Sequence, residues 1–186
     1  MNQATPKRGR RSIRLEGYDY RWPGAYFITI CTKRRVCLFG EVVAGEMHLN
    51  EVGRTVEGCW LRIPDHFPGV ELDAFVVMPN HVHGILVITG SWDVPWGTHA
   101  SPLRTHPTGP QARSIGAIMG SFKSATTRCI NKHRATPGAR IWQRNYYEHV
   151  IRDQQSLERL RQYIQDNPAR WELDPDNPEA PAQVQR

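Results

Sequence analysis

His81 and His83, with Val82 between them, are the side chains of this sequence best placed to do chemistry. They follow a Pro79-Asn80 break that separates two apolar runs, Leu72–Met78 and His83–Ile88, both of which read as strands. Side chains alternate across a strand, so His81 and His83 project to one side and Val82 to the other. Two imidazoles side by side on a rigid sheet form half of a metal site. The competing account is two polar residues on the wet face of an edge strand. The pair alone favours that account, so the rest of the chain has to decide.

Tyr163 and Asn167 are the second candidate pair, four residues apart and hence neighbours on one face of a helix. That helix is predicted to open at an Asp153 cap, to bury Leu157, Leu160 and Ile164, and to stop at Asn167-Pro168. Taken alone, Tyr163 beside the stripe reads as core, and Asn167 before Pro168 as a helix terminator. A third cluster surrounds Tyr146 and Tyr147, with Arg144, Glu148 and His149 as neighbours. These tyrosines are rival nucleophiles to Tyr163. Arg8, Arg10 and Arg11 in a basic arm, and Lys123 on a cationic helix surface, are candidate contacts to a phosphate backbone, with plain solvation as the alternative.

The elements that position these groups are legible in outline. Ala25–Thr32 is β-branched and aromatic and predicts a central strand. Val36–Val43 and Glu46–Leu49 predict a hairpin through Ala44-Gly45. Asn50 caps a predicted helix that carries Val52, Val56, Cys59, Trp60 and Ile63 at helical spacing and ends at Pro64. Ser114 caps another, running to about His133 with Ile115, Ile118, Met119, Phe122, Ala125, Cys129 and Ile130 as its stripe. Residues 1–17 read as a flexible basic arm, 18–172 as a single catalytic domain, 90–112 as a long exposed loop within it, and 173–186 as a disordered tail. His99 and His106 fall in the loop, where nothing would preorganise a metal site.

Composition narrows the field. The 186 residues suffice for one domain with a real core. Against 18 acidic residues stand 24 Lys and Arg, a net charge of +6 that suits a polyanionic partner. No apolar run approaches the ~20 residues of a membrane span, and no signal segment is evident, so a cytoplasmic protein without a membrane partner is expected. Cys31, Cys37, Cys59 and Cys129 lack Cys-x-x-Cys spacing; small buried thiols in a reducing compartment are expected.

Three motifs taken together are more specific. Met78-Pro79-Asn80-His81-Val82-His83-Gly84, Ile141-Trp142-Gln143-Arg144-Asn145-Tyr146-Tyr147-Glu148-His149-Val150-Ile151-Arg152 and Arg161-Gln162-Tyr163-Ile164-Gln165-Asp166-Asn167-Pro168 occur in that order. Over Gly24 to Trp171 the chain resembles the HUH single-tyrosine transposases of bacterial insertion sequences, and most nearly the REP-associated tyrosine transposases. The resemblance implies an α+β fold, an antiparallel sheet flanked by helices of ferredoxin-like or RRM-like type. It implies that His81 and His83 are metal ligands, Tyr163 the nucleophile, and Asn167 the third protein ligand, where some relatives carry glutamine. It implies Mg²⁺ or Mn²⁺ as cofactor, with single-stranded DNA at hairpins or palindromes as partner.

The expected activity is that of a metal-dependent DNA transesterase that nicks and rejoins through a 5′-phosphotyrosine. Trp142, Arg144 and Tyr146 are the expected DNA contacts in the second motif, with sheet packing as the alternative. A homodimer is a possibility the family leaves open, since its palindrome-associated branch includes monomers. The alternative function is a domesticated protein that binds DNA or RNA hairpins without cutting them; another is a zinc hydrolase using the same histidines.

Overall fold

The computed structural model describes residues 22–89 and 114–180. The elements run β1 (Gly24–Cys31), β2 (Gly40–Val43), β3 (Glu46–Leu49), α1 (Glu51–Leu61), α2 (Ile63–His66), β4 (Val70–Val77), β5 (His81–Ile88), α3 (Ile115–His133), β6 (Tyr147–Ile151) and α4 (Gln154–Asp166). Four strands form one sheet in the order β4-β5-β1-β6, every neighbouring pair antiparallel. With α1 between β1 and β4, and α3 between β5 and β6, this is the ferredoxin-like βαββαβ order that the resemblance implies. β2 and β3 make a separate hairpin, turned at Ala44 and Gly45 with φ of 51° and 81°.

Strand alternation divides the core in two. Tyr26, Ile28 and Ile30 of β1, with Val82 and Leu86 of β5, face α1 and α3 in the larger cluster. Phe27, Ile85 and Ile151 face the other way, toward Leu157, Leu160 and Ile164 of α4. The caps are those expected: Asn50, Ser114 and Asp153 accept from the backbone N–H groups of Gly53, Ala117 and Ser156. Among the described residues no helix is long and apolar enough to cross a membrane.

Four expectations are corrected. The hairpin strand begins at Gly40, because the N–H groups of Leu38 and Phe39 donate to the Pro79 carbonyl at 2.8 and 3.0 Å rather than to a partner strand. β5 begins at His81, so both histidines lie within the ladder, in an interior strand and not on an edge. The expected buried thiols are not all buried: Cys37 and Cys129 are exposed, and all four cysteines are free.

The fourth correction concerns the expected disordered tail. Asn167 keeps helical φ and ψ of −59° and −43°, and the chain continues as a 3-10 turn over Pro168–Leu173. Asp174, Asn177 and Ala180 beyond it are buried. Composition alone misleads here, because Asp, Asn and Pro are turn formers as well as disorder formers. The Asp174 carboxylate accepts from Asp176 N–H at 2.6 Å, and the Asn177 amide accepts from Glu179 N–H and donates to the Trp171 carbonyl. The basic arm with Arg8, Arg10 and Arg11, and the loop 90–112, lie outside the described residues.

Candidate active site

Pairing on both sides fixes the two histidines. His83 sits opposite Thr29 of β1 and Val76 of β4, and His81 opposite Cys31. Both imidazoles are buried, and their ring centroids lie 4.4 Å apart. Phe27 stacks on His83 at 5.4 Å and presents its edge geometry to Tyr163 at 6.0 Å, walling the site with an aromatic shelf.

The Nδ1 atoms are both engaged, which leaves each Nε2 toward the site. His83 Nδ1 lies 2.8 Å from Thr29 Oγ1. His81 Nδ1 lies 2.8 Å from Asn80 Oδ1. The Asn80 side chain can be oriented in only one way: its Nδ2 donates to two carbonyls, those of Arg35 at 3.0 Å and Asp176 at 2.7 Å. Its Oδ1 must therefore accept, so His81 carries its proton on Nδ1 and a lone pair on Nε2. That Nε2 is buried with no hydrogen-bond partner. An orphaned imidazole lone pair in a polar pocket is what a cation would satisfy. Burial holds both histidines below the ordinary imidazole range, and His81 pushes His83 further in the same direction. Neutral imidazoles are the ligand form.

α4 and the turn after it bring up the remaining groups. Tyr163 Oη stands 3.3 Å from His83 Nε2. Burial, then the charge of Asp174, raises its pKa above the ordinary phenol value. Asn167 is buried at the end of α4, and its Oδ1, like His81 Nε2, has no hydrogen-bond partner. Asp174 completes the group: ligand atoms of His81, His83 and Asp174 all lie within 4.8 Å of one another. The donor set fits a divalent cation, with two neutral nitrogens and a carboxylate close together and a buried, unpartnered amide oxygen at the end of α4. Sequence reasoning missed Asp174 because its neighbours look like tail; the cue present was Asp174-Pro175-Asp176-Asn177, an Asx-turn string directly after a Trp171-bearing turn.

α4 is docked lightly for an element carrying so much of the site. Ile164 is its one buried residue. A bidentate pair adds to this: Arg161 Nε and Nη2 donate to the two Asp73 oxygens at 2.8 and 2.5 Å. Asp73 lies where the β4–β5 register shifts, and the bulge aims it at α4. Hydrogen bonds from Arg161 hold the Asp73 carboxyl below the ordinary carboxylate range despite some desolvation. Its folded-state pKa is thus below its unfolded one, so the contribution to stability is present above pH ~4 and is lost as pH falls through the folded value. Arg161→Ala is expected to lower the urea midpoint at pH 7, with a smaller gap to wild type at acid pH, below the unfolded carboxylate value of ~4. A gap of equal size at both pH values would refute the linkage.

Beyond these groups lies an open cleft of about 530 Å³, lined by Phe27, Thr29, His83, Tyr146, Tyr147 and Tyr163 among others. The rival tyrosines therefore border the site, but the phenol at a histidine nitrogen is that of Tyr163. Two expected DNA contacts are corrected. Trp142 is core: it is 7% exposed, and its indole N–H donates to Thr126 Oγ1 at 2.9 Å. Lys123 turns inward, its ammonium donating to the carbonyls of Gln143 at 2.6 Å and Arg144 at 3.1 Å, so it pins the cleft lip rather than offering a free charge. Burial lowers its pKa to about 8. Tyr146 is half-buried on that lip, and Arg144 is exposed beside it.

Comparison with known proteins bears on the fold and on what the chain resembles. The family model described as "Transposase IS200 like" matches residues 108–167, from ahead of α3 through β6 to Asn167. A REP-associated tyrosine transposase solved bound to a REP hairpin shares the fold, with a TM-score of 0.56 at 19% identity over 86% of this chain and 73% of that one. A Haemophilus influenzae protein provisionally named a REP-associated tyrosine transposase is 24% identical, over 82% of this chain and 74% of its own length. An uncharacterised protein of the same organism is 45% identical over 89% of this chain and 91% of its own. Residues 108–167 thus match the IS200-like transposases, and the chain as a whole is similar to a protein provisionally named a REP-associated tyrosine transposase.

Proposed function

We propose that the protein is a single-strand DNA transesterase that nicks and rejoins DNA at hairpins formed by palindromic sequence, through a 5′-phosphotyrosine on Tyr163. The observation that carries this reading is the placement of Tyr163 Oη 3.3 Å from His83 Nε2, beside a buried pair of neutral histidines with an orphaned lone pair. His81, His83 and Asn167 would hold Mg²⁺ or Mn²⁺, which when bound supplies positive charge to polarise the scissile phosphate.

The chain's own residues do the rest. The cleft admits an unpaired strand past the rings of Tyr146, Tyr147 and Phe27, on which bases can stack. Tyr163 Oη loses its proton and attacks phosphorus in line; the P–O3′ bond breaks, and the leaving 3′ oxygen takes up a proton as a hydroxyl. The new phosphotyrosine keeps the energy of the phosphodiester, so attack by a 3′-hydroxyl reverses the step without ATP. The raised phenol pKa means that the neutral form dominates at pH 7, so turnover is expected to rise with pH.

The test is incubation with a single-stranded hairpin substrate and Mn²⁺, followed by denaturing electrophoresis and mass spectrometry. A covalent adduct on Tyr163 that disappears with chelator is the expected result. An adduct on Tyr146 or Tyr147 would keep the reaction and reassign its nucleophile. Tight hairpin binding with no adduct would instead support the non-cleaving binder.

A further inference from the structure

We propose that the segment Asp174–Asn177 is a built part of the metal centre: Asp174 supplies a carboxylate ligand beside His81 and His83, and Arg35 is the positioning residue that clips the segment in place. The proposal rests on the metal-site reading above and extends its ligand set beyond α4.

Asp174 is 7% exposed, and its neighbours do not neutralise it. One carboxylate oxygen is held by the Asp176 N–H at 2.6 Å. Among the described residues no Lys or Arg pairs with Asp174, because the nearby guanidinium of Arg35 goes to Asp176 instead, at 2.6 Å. A buried carboxylate without a countercharge is costly. Here it lies with His81 and His83, donor atoms all within 4.8 Å, next to the orphaned His81 Nε2. Two independent deficits, a missing proton donor for a nitrogen and a missing cation for a carboxylate, are met by one divalent ion.

The segment is also fastened with more than packing. Arg35 Nη1 donates to the Pro175 carbonyl at 2.8 Å while Nη2 takes Asp176. Arg34 and Arg35 both have left-handed backbone, with φ of 60° and 55°, an unfavourable pair for residues other than glycine. That turn aims the Arg35 side chain at the segment and its carbonyl at Asn80. The Asp176 carbonyl is the second acceptor for Asn80, whose other atom sets the proton on His81. The segment thus touches the site twice: directly through Asp174, and through Asn80 by way of the His81 tautomer.

The test is Mn²⁺ binding by the full chain, read as loss of the free-ion electron paramagnetic resonance signal. Asp174→Asn keeps the oxygen that accepts from Asp176 N–H and removes only the charge. It is expected to weaken Mn²⁺ binding by about tenfold or more, with melting temperature in chelator unchanged; Arg35→Ala should weaken it roughly tenfold, and Arg35→Lys should restore part of the loss. His81→Ala serves as the reference for a site without its nitrogen. Wild-type affinity in both Asp174→Asn and Arg35→Ala, alongside loss in His81→Ala, would overturn this proposal and leave the histidine site standing. Tighter binding or faster nicking in Asp174→Asn would also overturn it, since the segment would then be an obstruction. A wild-type chain that takes up no Mn²⁺ even with hairpin DNA present would remove the metal reading and this proposal together.

Discussion

Tyr163→Phe is expected to abolish the covalent protein–DNA adduct and to slow nicking by roughly 10³-fold or more, while leaving the fold intact. The substitution deletes one oxygen and keeps the ring, which packs edge-to-face against Phe27 at 6.0 Å. The lost hydrogen bond to His83 is long, at 3.3 Å, and the side chain is 39% exposed, so the melting temperature should barely move. Activity and stability are therefore expected to separate cleanly in this variant. Nicking at the wild-type rate would mean that another group attacks phosphorus. The products would then say which: a link to Tyr146 or Tyr147, or free ends made by water.

Gly84→Ala is expected to do the opposite, damaging the fold while touching no reacting group. A Cβ at Gly84 would stand 2.2 Å from Trp60 Cζ2. Trp60 cannot step aside: it is fully buried, edge-on to Phe122 at 5.3 Å and stacked with Phe75 at 6.1 Å. Overpacking of this kind costs about 3 kcal/mol, or roughly 10 °C in melting temperature for a chain of this size. Adding Trp60→Phe makes room, and the double variant should recover part of the loss in a thermal melt. An unperturbed Gly84→Ala melt would mean that β5 and α1 are not packed as described. The glycine after the His-Val-His run thus has a structural reason: β5 must let an indole lie flat against its backbone, on the face opposite the histidines.

Legibility of the sequence followed the strength of local signals. Capping residues marked the starts of α1, α3 and α4, because Asn50, Ser114 and Asp153 satisfy the first N–H groups of each helix, but α1 stops at Leu61 and the Ile63-Pro64 expected at its end open the separate helix α2. Strand pairing was not readable, since antiparallel order depends on contacts distant in sequence; the ferredoxin-like order came from the resemblance. The shared direction of His81 and His83 was readable from alternation, but not their depth, which comes from β1 and β4 flanking β5. Trp142 and Lys123 looked like surface groups for a polyanion, yet one fills the core and the other caps carbonyls. Residue type proposes a role, and burial decides it. Asp174 was invisible for the opposite reason: a string of Asp, Asn and Pro offers no periodicity, and its order comes from Asx turns and from Arg35, far away in sequence.

β1 carries a consequence for how this gene can vary. Its odd positions, Phe27, Thr29 and Cys31, line the cleft, while its even positions, Tyr26, Ile28 and Ile30, sit at 0% exposure beneath α1 and α3. The strand is paired on both edges, so it has no free side on which to absorb a slip. Inserting or deleting a single codon between Ala25 and Ile30 would exchange the two sets at one end of the strand, sending a threonine into the oily layer and an isoleucine toward His83. Substitutions can be accommodated there one side chain at a time. Frame-preserving length changes cannot, and β1 should be the part of the chain where natural variation in length is absent.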